Sequence, residues 1–118
     1  MSRRSERVAD LLRQEISEIL RIELRDPRVG MATVTDVDAS PDLRHAVVRV
    51  SLLGDDDERA GSLAALRRAS GFVRGRLARR ARQLRFIPEL EFELDRGAEH
   101  SDRIERLLES LHDEDRRT

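Results

Sequence analysis

Residues 67–85 read RRASGFVRGRLARRARQLR and carry eight arginines, two glycines and no acidic residue. The apolar residues of this stretch fall in one sector of a helical wheel, which predicts a helical segment from Ser62 to about Leu84. That sector contains Leu66, Ala69, Val73, Leu77, Ala81 and Leu84. A glycine inside a helix costs about 1 kcal/mol relative to alanine, so Gly71 and Gly75 require a reason. We predict two helices that meet at a kink formed by Ala69, Ser70 and Gly71. On a straight helix Phe72 would lie outside the apolar sector, and we expect the kink to turn it towards the core.

The arginines of this stretch lie opposite the apolar sector or beside it, with no acid placed to pair with them at i,i+4. Arg80 lies nearest the apolar edge, where its stem would cover the core. A solvated basic face is one interpretation. The other is an RNA-binding surface, because arginine binds phosphate through paired N–H donors and a helix break adds backbone N–H groups. The predicted RNA-binding residues are Arg67, Arg68, Arg74, Arg76, Arg79, Arg82 and Arg85. With neither Tyr nor Trp in the chain, we expect recognition of RNA shape and backbone rather than base stacking as the main mode.

Charge is segregated along the chain, although the net charge is only −1. No Asp or Glu occurs between Ala60 and Pro88, whereas acids are concentrated at 55–58 and 112–115. The basic residues are all arginine, a bias that G+C-rich codon usage also produces.

The rest of the pattern predicts an α+β chain in the order α-β-β-α-α-β, followed by a C-terminal helix over SDRIERLLESL with Ser101 or Asp102 as its cap. An amphipathic helix covers 5–24, with Ser5 as N-cap, and ends before DPRVG. The runs MATVTDVDA and RHAVVRVSLL form an antiparallel hairpin across a Ser-Pro-Asp turn. Val34 and Val37 cannot share one face of a regular strand, which indicates a bulge or a strand buried on both faces. The segment FIPELEFELD supplies the third strand.

The 118 residues suit one domain, with 1–4 and 112–118 as flexible ends. There is no cysteine, no long apolar run and no signal-peptide pattern, so we expect a cytoplasmic protein without membrane contact. The three histidines lack metal-ligand spacing, and no Gly-rich phosphate loop is present. We therefore expect no catalytic residue, no metal site and no cofactor.

In order and spacing, several segments resemble the bacterial ribosome-binding factor A family over nearly the whole chain. They are RVADLLRQEISEIL, DPRVG before MATVTDV, S-PDLRHAVVRVS, ASGFVRGRLARRARQLRFIPELEFELD and IERLL. The resemblance implies a type II KH-like fold in which an Ala-x-Gly kink, matched by residues 69–71, replaces the usual GxxG loop. It also implies a monomer that binds the small (30S) ribosomal subunit and its 16S rRNA late in maturation. On such a subunit the acidic segments at 55–58 and 112–115 would limit non-specific RNA binding or face ribosomal proteins. Further implications are assistance to 16S 5′-end processing and a role in cold adaptation.

Two other functions are compatible with the residues. One is a general KH-type module for single-stranded RNA, although Gly71 and Gly75 do not form a GxxG motif. The other is a protein-interaction domain whose arginines meet acidic partners.

Overall fold

The computed structural model describes residues 3–26, 29 and 32–97. Its helices are α1 (Arg3–Glu18), which continues into a π-helical turn (Ile19–Glu23), α2 (Asp56–Arg68) and α3 (Ser70–Arg80). Its strands are β1 (Thr33–Ala39), β2 (His45–Ser51) and β3 (Glu89–Leu94). The predicted α+β class and the order α-β-β-α-α-β are confirmed. The predicted C-terminal helix and the 112–118 tail lie outside the described residues.

The three strands form one mixed sheet in the order β1-β2-β3. β1 and β2 are antiparallel, as predicted, whereas β2 and β3 are parallel. A parallel pair requires a long crossover, and α2 and α3 provide it here. The pairing of β1 shifts register between Val34 and Asp36, which confirms the predicted irregularity and lets Val37 and Ala39 face the core.

The core lies between the sheet and the helices and is almost entirely aliphatic. Alternate residues of β2 are buried, as expected for a strand with one face on the core. Phe92 of β3 is fully buried opposite Val48. The helices contribute Leu12, Ile16, Leu66, Val73 and Leu77, all fully buried. The predicted apolar sector of the 62–84 segment is therefore confirmed as a core-facing stripe.

The first helix begins earlier than predicted and ends where predicted, before DPRVG. Ser5 is not an N-cap, because α1 begins at Arg3 and Ser5 lies fully buried inside it. Arg3 and Arg4 thus belong to a helix that packs on the sheet. At the other end the helical winding continues to Glu23, but its last five residues form a π turn that closes with a bond from Leu24 N–H to the Ile19 carbonyl (2.9 Å).

α2 begins in the acidic segment at 55–58, six residues before Ser62. Asp55 is the N-cap: its carboxylate accepts from Glu58 N–H (2.8 Å), while Asp55 N–H donates to the Glu58 carboxylate (3.3 Å). The acids also favour this end of the helix dipole.

α3 ends at Arg80 rather than near Leu84, and a hydrogen bond from Leu84 N–H to the Ala81 carbonyl (3.0 Å) closes the turn that follows. No glycine or proline marks this end in the sequence.

In the part of the chain that the structure describes, no helix is long and apolar enough to cross a bilayer. The same residues contain no group of three or more His, Cys, Asp or Glu side chains placed to hold a metal ion.

Candidate RNA-binding surface

The basic stretch is divided at Ala69, which is at once the C-cap of α2 and the N-cap of α3. Its backbone (φ −85°, ψ 0°) leaves helical geometry, yet Ala69 N–H still bonds to the Ala65 carbonyl and Val73 N–H to the Ala69 carbonyl (both 3.0 Å). Gly71 lies inside α3, where a β-carbon would meet no atom within 4 Å. The break therefore requires no glycine, and the space at Gly71 and at the similarly open Gly75 faces outward.

Phe72 does not return to the core, so that expectation was wrong. It is 39% exposed, and the Arg76 guanidinium lies over its ring, 4.9 Å from the centroid. The break at Ala69 preserves the hydrogen bonding between the helices, so it rotates α3 too little to bury a residue outside the Val73–Leu77 stripe. The position of Phe72 outside the apolar sector was the sequence signal for its exposure.

Two of the seven predicted arginines hold β3 in place. Arg67 Nε donates to the Phe92 carbonyl (3.2 Å). Arg74 spans two carbonyls, with Nε donating to Pro88 (3.0 Å) and Nη2 to Ile87 (2.9 Å). Both side chains thus serve as part-buried links between the helices and the third strand.

Acids from the first helical segment pair with one more of the seven, Arg76, and with Arg80, which is not among them. Arg80 Nε donates to Glu15 Oε2 (2.7 Å), and this hydrogen bond raises the pKa of Arg80 above its ordinary value. Glu23, on the π turn, lies 3.9 Å from both Arg76 and Arg80, beyond hydrogen-bonding distance. The Glu23 Oε2 atom is buried, and no described residue forms a hydrogen bond with it. The basic stretch is therefore compensated in part, by acids of the first helical segment that are distant from it in sequence.

The other four predicted arginines, Arg68, Arg79, Arg82 and Arg85, are exposed. We call them the open arginines, because no acid or carbonyl among the described residues engages their side chains. The first two lie on α2 and α3, whereas Arg82 and Arg85 follow the end of α3.

A shallow groove of about 320 Å³ runs along the exposed side of α3 beside this set. Its lining residues are Gly71, Phe72, Gly75, Arg76 and Arg79. The two glycines keep its floor flat, because neither carries a side chain and the space above each is open. We call it the α3 groove. It lets another molecule's backbone come close to the helix, with Arg79 at its edge free to bind an anion.

Known proteins resemble this chain over nearly its whole length. A family model described as "Ribosome-binding factor A" matches residues 4–108. The chain belongs to the ribosome-binding factor A family. The family member from Thermomicrobium roseum is 48% identical over 116 residues, which cover 98% of this chain and 89% of that protein. The resemblance seen in the sequence is thereby confirmed.

Solved structures of the family share the fold. The crystal structure of ribosome-binding factor A from Thermus thermophilus superposes with a TM-score of 0.70 at 32% identity, covering 80% of this chain and 98% of that one. A homology model of the Thermus thermophilus factor, fitted into a cryo-EM map of a 30S complex, matches with a TM-score of 0.63 at 34% identity, covering 75% and 92%. The type II KH-like fold implied by the resemblance is consistent with these neighbours.

Proposed function

We propose that this chain is a non-catalytic assembly factor that binds the small (30S) ribosomal subunit and its 16S rRNA. It would act in the cytoplasm as a monomer. The observation that carries the proposal is the set of open arginines beside the α3 groove. Their guanidinium groups are exposed, whereas Arg67, Arg74 and Arg80 of the same stretch donate to carbonyl or carboxylate oxygens of the protein. The Thermus thermophilus relative fitted into a 30S complex supports the choice of partner.

The contacts within the protein divide the seven predicted arginines by role. Arg67 and Arg74 are committed to backbone carbonyls, and Arg76 lies over Phe72 near Glu23. Among the described residues no acid or carbonyl engages the guanidinium groups of the open arginines, which would bind phosphate in the bidentate mode that arginine favours. They are the primary phosphate contacts of the proposed surface, and the other three arginines position the helix and strand that carry it.

Charge separation along α2 would orient the protein on RNA. Its acidic start and its basic end, at Arg67 and Arg68, are separated by 13 residues, or about 20 Å of helix. A phosphate backbone attracts the basic end and repels the acidic end, so the electrostatic field favours one docking direction. This separation explains how a chain with a net charge of −1 can bind RNA.

The action on RNA would be a shift between conformations. A binder moves such an equilibrium only by its difference in affinity for the two states. Preference for one late conformation of 16S rRNA would assist maturation of the 5′-end region. It would matter most in the cold, where misfolded RNA rearranges slowly. This part of the proposal rests on the family resemblance.

The test uses single charge reversals and purified small subunits. We expect Arg79→Glu and Arg82→Glu each to weaken binding about tenfold or more, because each removes a charge-assisted hydrogen bond. Each change should also lower the log–log salt slope by about 0.7–0.9. Arg96→Glu is the matched control, since Arg96 lies beyond β3 in a cleft near the acidic start of α2. Co-sedimentation at several salt concentrations measures both quantities.

Binding of Arg79→Glu and Arg82→Glu equal to that of the Arg96→Glu control would refute the proposed surface. A protein-interaction domain would give that result. A general single-stranded RNA module would instead bind short unstructured oligonucleotides as tightly as the subunit, and it would lose both activities together.

A further inference from the structure

A second cleft lies beyond the end of α3, where three separate parts of the chain meet. Its volume is about 240 Å³. It is lined by Arg4, Val8, Leu43, Gln83, Leu84, Arg85, Phe86 and Pro88. These residues come from α1, from the β1–β2 turn and from the segment between α3 and β3. We call it the Phe86 cleft.

Phe86 is the most exposed of the three phenylalanines. Only three phenylalanines are present and there is no Tyr or Trp, so aromatic surface is scarce. Phe92 is fully buried in the core, whereas Phe86 is 48% exposed at the cleft. The Arg44 guanidinium lies 5.7 Å from the Phe86 ring centroid. An exposed ring with a cation beside it provides a stacking surface for a planar, electron-rich group.

The opposite wall of the cleft includes a residue with an unfavourable backbone conformation. Leu43, in the β1–β2 turn, adopts φ +61°, a left-handed conformation that is rare for a bulky residue. Its side chain is nonetheless buried, with 9% exposed. A turn that served only to join two strands would favour Gly or Asn at this position. The leucine instead gives the cleft an apolar wall beside Val8, Leu84 and Pro88.

The rim of the cleft is positively charged. Arg4 and Arg85 line it, Arg44 lies at the ring of Phe86, and no acid is among the lining residues. The acids adjacent in sequence are engaged elsewhere. Asp42 accepts from the Ser40 hydroxyl (2.7 Å) and from Arg44 N–H (3.1 Å), and Glu89 lies 3.4 Å from Arg74. The cleft therefore combines an apolar interior with an anion-attracting rim.

We infer that the Phe86 cleft binds one unpaired nucleotide of RNA, with its base stacked on Phe86 and its phosphates at Arg4 and Arg85. The volume is below the 300–1,000 Å³ typical of sites for drug-sized ligands, and it suits a single base rather than a peptide segment. Bases accessible to aromatic stacking occur in loops, bulges and ends of RNA. The open arginines Arg82 and Arg85 connect the cleft to α3, so one RNA strand can contact both. This inference rests on the proposed function and adds a base contact to its phosphate contacts.

The test compares two substitutions of Phe86, one that removes the aromatic ring and one that keeps it. Phe86→Leu keeps an apolar side chain but removes the π face, and Phe86→Tyr keeps the face. We expect Phe86→Leu to bind purified small subunits roughly 5- to 150-fold more weakly, the range measured for base–aromatic stacking. The salt slope should not change, because no charge is lost, whereas Arg85→Gln should lower it by about 0.7. Phe86→Tyr and the exposed control Leu53→Ala should bind like the wild type.

Ultraviolet crosslinking of the wild-type complex identifies the occupant. Trypsin cleavage after Arg85 and Arg96 releases residues 86–96 as one peptide, and fragmentation should place a nucleotide adduct on Phe86. An adduct to a ribosomal peptide at Phe86 would overturn the inference, as would subunit binding by Phe86→Leu equal to that of Leu53→Ala. If Arg79→Glu loses binding while Phe86→Leu retains it, the inference fails and the proposed function stands. If Arg79→Glu retains binding, the proposed function itself fails.

Discussion

Gly75 provides a test in which stability and RNA binding should change in opposite directions. It lies in the middle of α3 and is exposed, and a β-carbon built there meets no atom within 4 Å. Gly75→Ala therefore carries no steric penalty within the described structure. Alanine is favoured over glycine inside a helix by about 0.8–1.0 kcal/mol. We expect the free energy of unfolding to rise by about that amount and the Tm by about 4 °C.

The same methyl group should weaken binding to the small subunit. Gly75 forms part of the floor of the α3 groove, and an added side chain would hold an RNA backbone away from the helix. Loss of one close contact, with a net value of about 1 kcal/mol, corresponds to roughly fivefold weaker binding. Gly61→Ala is the matched control, because Gly61 is an equally open glycine in α2 that does not line the α3 groove. It should raise stability by a similar amount and leave binding unchanged.

Denaturant unfolding and subunit co-sedimentation on the same protein samples measure both effects. Equal binding by the Gly75→Ala and Gly61→Ala variants would show that the open space at Gly75 has no role in recognition. A Gly75→Ala variant no more stable than the wild type would refute the helix-propensity argument.

Three further predictions concern the framework of the fold. Arg74→Met should lower the free energy of unfolding by about 1.5–3 kcal/mol, because two carbonyls lose a charged donor. Glu89→Gln should change it by less than about 1 kcal/mol, since the Arg74–Glu89 ion pair is largely exposed. Chemical denaturation of the two variants measures both changes. The Ser40 hydroxyl lowers the pKa of Asp42 below its ordinary 3.8, so Asp42 contributes stability above that pH and loses it as the pH falls through the lowered value. Ser40→Ala should move this pKa back towards 3.8, as a carboxyl NMR titration would show, and an unchanged titration would contradict the assigned cause. Phe92→Ala should cost about 3–5 kcal/mol, because the side chain is fully buried, and thermal unfolding that matches the wild type would contradict the described core.

The regular parts of the fold could be predicted because their patterns are local. The alternation in β2 and the apolar stripe through Leu66, Val73 and Leu77 identify one buried face each. The bulge in β1 was also predictable, because Val34 and Val37 have the wrong spacing for a single face.

The end of α3 and the engagement of several arginines could not be predicted from the sequence. No local stop signal lies at Arg80, so the helix ends through tertiary packing. Glu15 and Glu23 are distant from the basic stretch in sequence, and only the packing of α1 against α3 brings them to Arg80. Arg74 looked like its exposed neighbours on the helical wheel, because the wheel contains no information about where the carbonyls of Ile87 and Pro88 lie.

The parallel pairing of β2 with β3 has a consequence for synthesis of the protein. β2 ends at Ser51 and β3 begins at Glu89. The ribosome therefore adds 37 residues after completing β2 before it begins the strand that pairs with it. At about 5–20 residues per second, a ribosome takes roughly 2–7 s to make that segment. During this interval Val48 and Val50 lack the cover that Phe92 and Leu94 later supply. We therefore expect the nascent hairpin to be open to unwanted strand pairing until the third strand leaves the exit tunnel.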